Sequence, residues 1–471
     1  MVIRLWLAAA LTLACASEGR EDPFYRSGSR IRAEFLESED GERIFRRLYD
    51  TELETRCWFA TAADGRLRCL PDVEYAGFAD AGCTEPVTVA RCEAPRFATE
   101  NPQPVPGDAC ADDRWRVHEV GPALAITELY DFELGACTRV RALDPGEVAY
   151  NIGVAVAAER FVAADVEEAD ADDTIAVDRL AAEDGARTTW WPRDRVRQEA
   201  CRIEAFPGER DDLYCLPLRQ AWSLLPPVLA SDRACSNPVA WGPAWGCGTP
   251  QVGVGTGVDS QSHEVARALF LPGDPVDPGS LYEADPLCGP AREEILDDGP
   301  FYSIVRWMEP SEFPHVVKVR QGQGRLQRTR YQDDDGVALV EGDWFFDTVL
   351  DADCWVRRFA AEGGVEDLRC IPVTPLVVVD AELDRYRDEL CTLPLVESEH
   401  PDTPVVVYDS RSCPYAARGI FRLGARYDGS VYSRSSGACQ PTAQIPSDTT
   451  YGLEDVPEPL ERYARVEIVD R

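Results

Sequence analysis

The feature that most constrains this chain is a short cysteine-flanked hairpin that occurs three times. It runs from Arg56-Cys57-Trp58-Phe59 through Asp64-Gly65 to Arg68-Cys69-Leu70-Pro71, and the construction returns from Cys201 to Pro217 and from Cys354 to Pro372. Seven residues ahead of each leading cysteine stands an aspartate: Asp50, Asp194 and Asp347. Aromatic residues precede each of them, and an Asp-Gly lies further upstream at Asp40, Asp184 and Asp335. Downstream, Asp-x-x-Cys-x-x-Pro recurs at Asp80, Cys83 and Pro86, at Asp232, Cys235 and Pro238, and at Asp388, Cys391 and Pro394. A Tyr followed by a Cys recurs too (Tyr130 and Cys137, Tyr282 and Cys288, Tyr432 and Cys439). Self-similarity of this kind makes the chain three homologous repeats of about 145 residues, at 28–168, 169–322 and 323–471.

Inside each repeat the apolar segments are short and rich in Val, Ile, Tyr, Phe and Trp, as in Arg30 to Phe35, Arg116 to Val120, Val316 to Val319 and Val405 to Tyr408. Asp-Gly and Pro-rich punctuation separates them, which reads as all-β. Only Leu376 to Cys391 is read as one short helix. The repeats abut with almost no linker, and the chain ends on the strand-like Tyr463 to Val469, whose counterparts pass directly into the next repeat. In a β-propeller-like ring that last strand completes the first sheet and removes an open edge. The alternative is three tandem β-sandwich or barrel domains.

The first residues read as an export signal. Arg4 precedes an apolar run, Leu5 to Leu13, that is too short to span a bilayer. It ends in Leu11-Thr12-Leu13-Ala14-Cys15, a lipobox-like sequence in which Cys15 is lipidated and becomes the new N-terminus; Ala14-Cys15-Ala16 also satisfies the small-x-small rule for simple secretion. Residues 1–15 are then signal peptide and 16–27 a tether. Ala16 after the cysteine resembles the pattern exported to the outer membrane, so the expected location is outer membrane or cell surface, with secretion or the periplasm as the alternative.

Composition agrees with that address. Of 17 cysteines, Cys15 leaves the fold and the remaining even number makes disulfides the default. Cys57 with Cys69, Cys201 with Cys215 and Cys354 with Cys370 each close a hairpin whose arms bring the sulfurs opposite one another. Cys235 with Cys247 and Cys391 with Cys413 are the next pairing, and Cys83 takes Cys92 or Cys110. Cys137, Cys288 and Cys439 are left without evident mates. The net charge of −36 argues against nucleic acid or an anionic lipid surface as partner. Contact with a membrane is then through a lipid anchor alone.

The Cys-aromatic, Arg-Cys-Leu-Pro and Asp-x-x-Cys-Thr-x-Pro runs resemble those of uncharacterised, cysteine-rich, repeat-containing secreted bacterial lipoproteins. The likeness covers nearly all of the mature chain and implies no activity. Residue types agree with that silence. A group present in triplicate, such as Asp50, Asp194 and Asp347, reads as a strand-end or turn residue, and the four Asp-Gly pairs (Asp40, Asp64, Asp184, Asp335) as hairpin turns. The acidic runs Asp170 to Asp173 and Asp333 to Asp335 offer Ca²⁺ oxygen ligands but lack the glycine and terminal glutamate of a calcium loop. His118, His263, His315 and His400 have no metal-ligand spacing. No nucleophile elbow, P-loop or dinucleotide fingerprint occurs, and the glycine-rich Gly253 to Gly257 reads as loop.

Two functions fit. The first is an exported, lipid-anchored, non-catalytic surface scaffold that displays loops to a protein or glycan partner, with no catalytic residue, cofactor or metal site. The alternative is an extracytoplasmic carboxylate-dependent glycoside hydrolase. The ligand contacts expected are Trp241 and Trp245. They lie beside the longest departure from the repeat, where Cys247 to Tyr282 spans 35 residues against 20 for Cys110 to Tyr130 and 19 for Cys413 to Tyr432.

Overall fold

The computed structural model describes residues 24–73, 76–100, 114–133, 136–143, 146–168, 174–205, 212–217, 220–225, 229–241, 252–258, 264–283, 288–291, 301–360, 366–373, 377–380, 385–398, 404–409, 416–435, 438–442, 449–454 and 457–469. The architecture is all-β. Among the described residues the helical elements are single 3-10 turns, at Ala158–Arg160, Pro278–Ser280, Pro310–Glu312 and Leu460–Arg462. The helix expected within Leu376 to Cys391 is not formed where that segment is described. Val377–Asp380 is instead a strand paired in parallel with Pro404–Asp409, as a run of stiff β-branched valines favours.

Three four-stranded antiparallel meanders form the centre. The first holds β1 (Ile31–Ser38), β2 (Arg43–Asp50), β3 (Thr55–Thr61) and β4 (Leu67–Pro71), and is followed later in the chain by a linking strand β5 (Ala163–Glu167). The second holds β6 (Ile175–Ala182), β7 (Arg187–Asp194), β8 (Glu199–Ala205) and β9 (Leu213–Pro217), with the linking strand β10 (His315–Gln321). The third holds β11 (Leu326–Gln332), β12 (Ala338–Asp347), β13 (Ala352–Ala360) and β14 (Glu366–Pro372), with the linking strand β15 (Arg465–Val469). Their registers match: Ile31 faces Asp50, Ile175 faces Asp194 and Leu326 faces Asp347. The Asp-Gly turns supply the positive φ that tight turns need, 81° at Gly41, 80° at Gly65, 92° at Gly185 and 84° at Gly336.

Each linking strand joins two meanders. β5 pairs with β4 and β6, β10 with β9 and β11, and β15 with β14 and, across the whole chain, with β1, where Phe35 faces Val469 and Ser38 faces Val466. Strand pairing therefore runs from β1 to β15 and back to β1 with no free edge. Every step is antiparallel and the number of strands is odd, so they cannot alternate up and down along one axis as in a simple barrel. The change of direction falls at the linking strands, each of which pairs only two residues with the preceding hairpin.

The N-terminal segment enters where the meanders converge. The Tyr25 ring stacks on Phe45 at 3.8 Å and meets Phe35 edge-on, its hydroxyl accepts from Thr189, and Arg330 lies over the buried Phe24 ring. Arg26 exchanges backbone hydrogen bonds with Arg187. Phe24 and Tyr25 thus touch all three meanders, and the end of the expected tether is packed. Around them, a bulge in the opening strand of each meander turns a polar residue inward: Glu34, Asp178 and Thr329, all buried. Arg47 pairs with Glu34 and Arg193 with Asp178, while Arg328 reaches the buried Glu341 at 3.5 Å. Beside Glu34, burial and then the neighbouring Arg47 push the Arg46 guanidinium down to about 10.

A further β unit lies between each meander and its linking strand. In the first this is a seven-stranded sheet. In the second it includes a closed barrel built from Gln220–Leu225, Val239–Trp241, Phe301–Met308, Glu264–Val276 and Val252–Val258. The run Gly253 to Gly257, expected as loop, is therefore a barrel strand. Glycine is required there because a Cβ on Gly253 would lie 1.8 Å from the buried Phe270 ring.

Six disulfides appear among the described residues. The hairpin bridges Cys57–Cys69, Cys201–Cys215 and Cys354–Cys370 are formed, each with Cα atoms 5.2 Å apart and both cysteines buried in a meander core. The next pairing is corrected. Cys235 bonds Cys288 rather than Cys247, Cys391 bonds Cys439 rather than Cys413, and Cys83 bonds Cys137 rather than Cys92 or Cys110. Cys92 is also disulfide-bonded, while Cys110, Cys247 and Cys413 lie outside the described residues. The reason is tertiary. Cys83, Cys235 and Cys391 sit in left-handed backbone, φ 50°, 50° and 51°, on turns whose aspartates Asp80, Asp232 and Asp388 accept the following backbone N–H groups. A strand distant in sequence is brought beside that turn: in the first unit Tyr130, on the hairpin that carries Cys137, pairs with Phe78 just ahead of the turn.

Deleting residues 465–469 removes β15, exposes edges on β1 and β14, and uncovers the core around Val466, Leu36 and Phe345. Burial of one such valine contributes about 1.5–3 kcal/mol, so the truncated chain is expected to melt well below the full chain and to self-associate. Differential scanning fluorimetry with light scattering measures both; an unchanged melting temperature would show that the strand is not structural.

Candidate functional site

The three meanders share one internal contact, and it differs in the second. Asp50, Asp194 and Asp347 are fully buried at the end of their strands, and each accepts two backbone N–H groups from the turn that follows. Each also pairs with one arginine, whose guanidinium donates onward to a backbone carbonyl in or just after the 3-10 turn that leads to the linking strand. In the first meander Arg30 bridges Asp50 (2.8 and 2.7 Å) to the Arg160 carbonyl. In the third, Arg325 bridges Asp347 to the Arg462 carbonyl. Both arginines immediately precede the opening strand. In the second meander that position is Thr174, and the guanidinium comes from the turn instead, where Arg197 bridges Asp194 (2.6 Å) to the Glu312 carbonyl (2.7 Å).

The exchange is reciprocal. The positions matching Arg197 are Leu53 and Leu350, which pack with Phe161 and Tyr463; Arg197 lies over the matching ring, Phe313, at 4.5 Å. The buried carboxylate keeps its counter-charge, so the core is served either way. What changes is the surface above it, because a small threonine replaces a long side chain.

A second contact is altered at the same place. In the first meander Asp184, from the turn of the second, accepts from the N–H groups of Arg30 (2.8 Å) and Ile31 (2.6 Å). Asp40, from the turn of the first, likewise accepts from Arg325 N–H at 2.7 Å in the third. The corresponding turn of the third meander carries Asp335 toward Thr174 and Ile175. Among the described residues Asp335 takes no hydrogen bond from either. Two seams are clasped and the third is open.

A cleft of about 690 Å³ occupies the open seam. Thr174 and Ile175 form one wall, Asp333, Asp334 and Asp335 another, and Tyr214, Phe313 and His315 with Glu309 to Ser311 the floor and rim. Among the described residues no lysine or arginine lines it. Register explains the aromatic floor: Tyr214 on β9 faces His315 on β10, with ring centroids 5.5 Å apart. Turn geometry explains the acidic wall. The buried Asp333 accepts from Val337 N–H at 2.7 Å, which leaves Asp334 and Asp335 exposed. His315 Nδ1 lies 2.7 Å from Asp334 Oδ1. Among the described residues no group of three or more His, Cys, Asp or Glu side chains is arranged to hold a metal ion.

The family model for a family of unknown function, DUF7481, matches residues 7–444. The chain belongs to this family. No curated protein and no solved structure matches it.

Of the residues expected as ligand contacts, one is described, and it is not among the described residues that line the cleft. Trp241 is on the barrel strand Val239–Trp241, where it pairs with Trp222 and Phe301, and Trp245 lies outside the described residues. His315 and the Asp333 to Asp335 run are legible in the sequence, but as isolated features. Thr174 and Tyr214 carry no motif, while Phe313 stands at an aromatic position that recurs at Phe161 and Tyr463. The signal available was the alignment of the three opening strands, in which Thr174 replaces Arg30 and Arg325 while Arg197 replaces Leu53 and Leu350.

Arg197→Leu leaves the Asp194 carboxylate buried with only its two backbone donors, and losing one partner of a buried ion pair costs about 3 kcal/mol or more. Adding Thr174→Arg restores the wiring of the other meanders and is expected to recover all but about 1 kcal/mol of that loss. Chemical denaturation of the two single variants and the double variant checks this; a double variant no better than Arg197→Leu would break the equivalence.

Beside the cleft, Arg306 donates to Glu312 at 2.7 and 2.5 Å and Glu309 N–H at 2.9 Å, which together hold the Glu312 carboxyl down at about 2. A carboxyl depressed on folding contributes stability above its ordinary value of 4.5 and loses it as pH falls through about 2. The melting-temperature gap between the wild type and Glu312→Gln is therefore expected to be constant at neutral pH and to close between about pH 4.5 and 2. A gap that persists at pH 2 would mean that the carboxylate charge is not its source.

Proposed function

We propose that this protein is an exported, lipid-anchored, non-catalytic surface scaffold whose three homologous repeats form a propeller-like ring and whose partner docks at the open seam. The observation that carries this reading is the place of the cleft, where the pattern shared by the three meanders breaks. Residues that serve the fold recur three times; those around the cleft include the ones that do not. Its volume falls within the range of pre-formed ligand sites, and it combines apolar rings with a few polar groups. Six disulfides belong to an oxidising, extracytoplasmic environment, which agrees with display outside the cytoplasm. Closure of the strand circuit by β15 supports the ring over three independent tandem domains.

The scaffold reading is tested with the full mature protein on arrays of glycans and peptides. Thr174→Arg serves as the control, since it fills the cleft with a side chain that the equivalent positions already hold. Saturable binding lost in Thr174→Arg is the expected result. Binding that Thr174→Arg leaves unchanged would move the site elsewhere, and release of sugar from the arrayed glycans would favour a hydrolase.

A further inference from the structure

We infer that the cleft at the open seam is a receptor for a guanidinium group supplied from outside the chain, either as an arginine side chain of a peptide or as a free guanidino compound. This rests on the cleft being a binding site, as proposed above, and specifies its ligand. The first argument is internal precedent. At the matching place in the first meander the chain seats its own Arg30: the guanidinium lies 2.7 Å from Asp50 and 3.0 Å from Glu52 of the same meander, while the backbone N–H crosses the seam to Asp184. In the third it lays Arg325 there, 2.8 Å from Asp347, with its N–H on Asp40. In the second meander Thr174 takes this position and a cleft of about 690 Å³ results. Arg197 satisfies Asp194 and the Glu312 carbonyl from the turn side, so the fold does not need that cleft to be filled.

The second argument is the chemistry of the walls. Asp334 and Asp335 are exposed at the mouth and Glu309 lies on the rim, with no lysine or arginine among the described lining residues. Tyr214, Phe313 and His315 add flat faces. A planar, delocalised cation matches both, because it donates in a fork to carboxylates and stacks on rings, whereas an ammonium is a compact, strongly hydrated point charge. Arg197 lies over the Phe313 ring at 4.5 Å, so the chain itself provides a precedent for a guanidinium stacked on an aromatic ring at this seam.

The test is titration calorimetry on the full mature protein with N-acetyl-arginine amide and its citrulline counterpart, which keeps the shape and loses the charge. The arginine probe is expected to bind at least about tenfold more tightly than the citrulline probe, as loss of charge-assisted hydrogen bonds implies. Binding should be abolished in Thr174→Arg and weakened in the isosteric Asp335→Asn, with both variants keeping the wild-type far-ultraviolet dichroism. Agmatine and an arginine-containing extended peptide separate the sources: equal affinity identifies a free guanidino compound, and a gain for the peptide identifies a protein partner. Equal binding of arginine and citrulline probes, or arginine binding unchanged in Thr174→Arg, would overturn the inference. If no guanidino probe binds while an arrayed ligand binds in a manner that Thr174→Arg abolishes, the guanidinium inference fails and the scaffold reading stands.

Discussion

The structure depends on a buried carboxylate at the end of the second strand of each meander. Asp50, Asp194 and Asp347 are completely removed from solvent, where an unpaired charge would cost several kcal/mol. Each is satisfied by two backbone N–H groups and one guanidinium, and that guanidinium also takes the carbonyl next to the linking strand. One interaction thereby fixes the turn after the strand, the start or turn of the meander, and the approach of the chain that returns from the β unit beyond. Glu54, Gln198 and Asp351 take up left-handed backbone directly after these turns, with φ of 54°, 54° and 50°. The tight geometry of the carboxylate-capped turn compels that conformation in residues that otherwise avoid it.

Because the guanidinium can reach the carboxylate from two directions, the interaction tolerates rewiring. Arg30 and Arg325 come from the strand start; Arg197 comes from the turn and stacks on Phe313, where Leu53 and Leu350 pack on Phe161 and Tyr463. The core is unchanged by the choice, but the seam above it is either filled or open. Variation that is neutral for the buried pair thus reshapes the surface, and a cleft arises without weakening what holds the meander. The same economy appears in the strand circuit as a whole. β15 closes it by pairing with β1, which covers an edge on each of β1 and β14, and Phe24 and Tyr25 contact all three meanders.

Much of the fold was legible. Hairpin disulfides followed from spacing, since two strands joined by a short turn must bring Cys57 opposite Cys69, and likewise in the other two meanders. The strand-end aspartates and Asp-Gly turns were identified by recurrence alone. The misses share one cause, which is a partner distant in the chain. Cys83 passed over Cys92 and Cys110 for Cys137, 54 residues away, because the hairpin bearing Cys137 lies beside the turn on which Cys83 sits. Gly253 to Gly257 read as loop because glycine is poor in strands, yet its missing side chain makes room for Phe270. The candidate site was legible only in fragments: His315 and the Asp333 to Asp335 run stood out, while Thr174 is conspicuous only beside Arg30 and Arg325.

What the sequence by itself determined is whatever depends on neighbours within one hairpin: the all-β class, the three-fold recurrence of the hairpin, its bridges, and the aspartates that end its strands. These follow from alternation, turn chemistry and the short reach of a covalent bridge. Tertiary structure alone decided the second set of disulfides, the closure of β15 onto β1, the filling of the centre by Phe24 and Tyr25, and the opening of one seam among three. Each of those joins segments separated by tens to hundreds of residues. Their juxtaposition is fixed by the packing of whole meanders, which no local pattern encodes. The cleft belongs to that second class, since its walls come from β6, β9 and β10, the 3-10 turn before β10, and the turn between β11 and β12, and it lies where Thr174 replaces an arginine and Asp335 makes no clasp to Thr174 or Ile175.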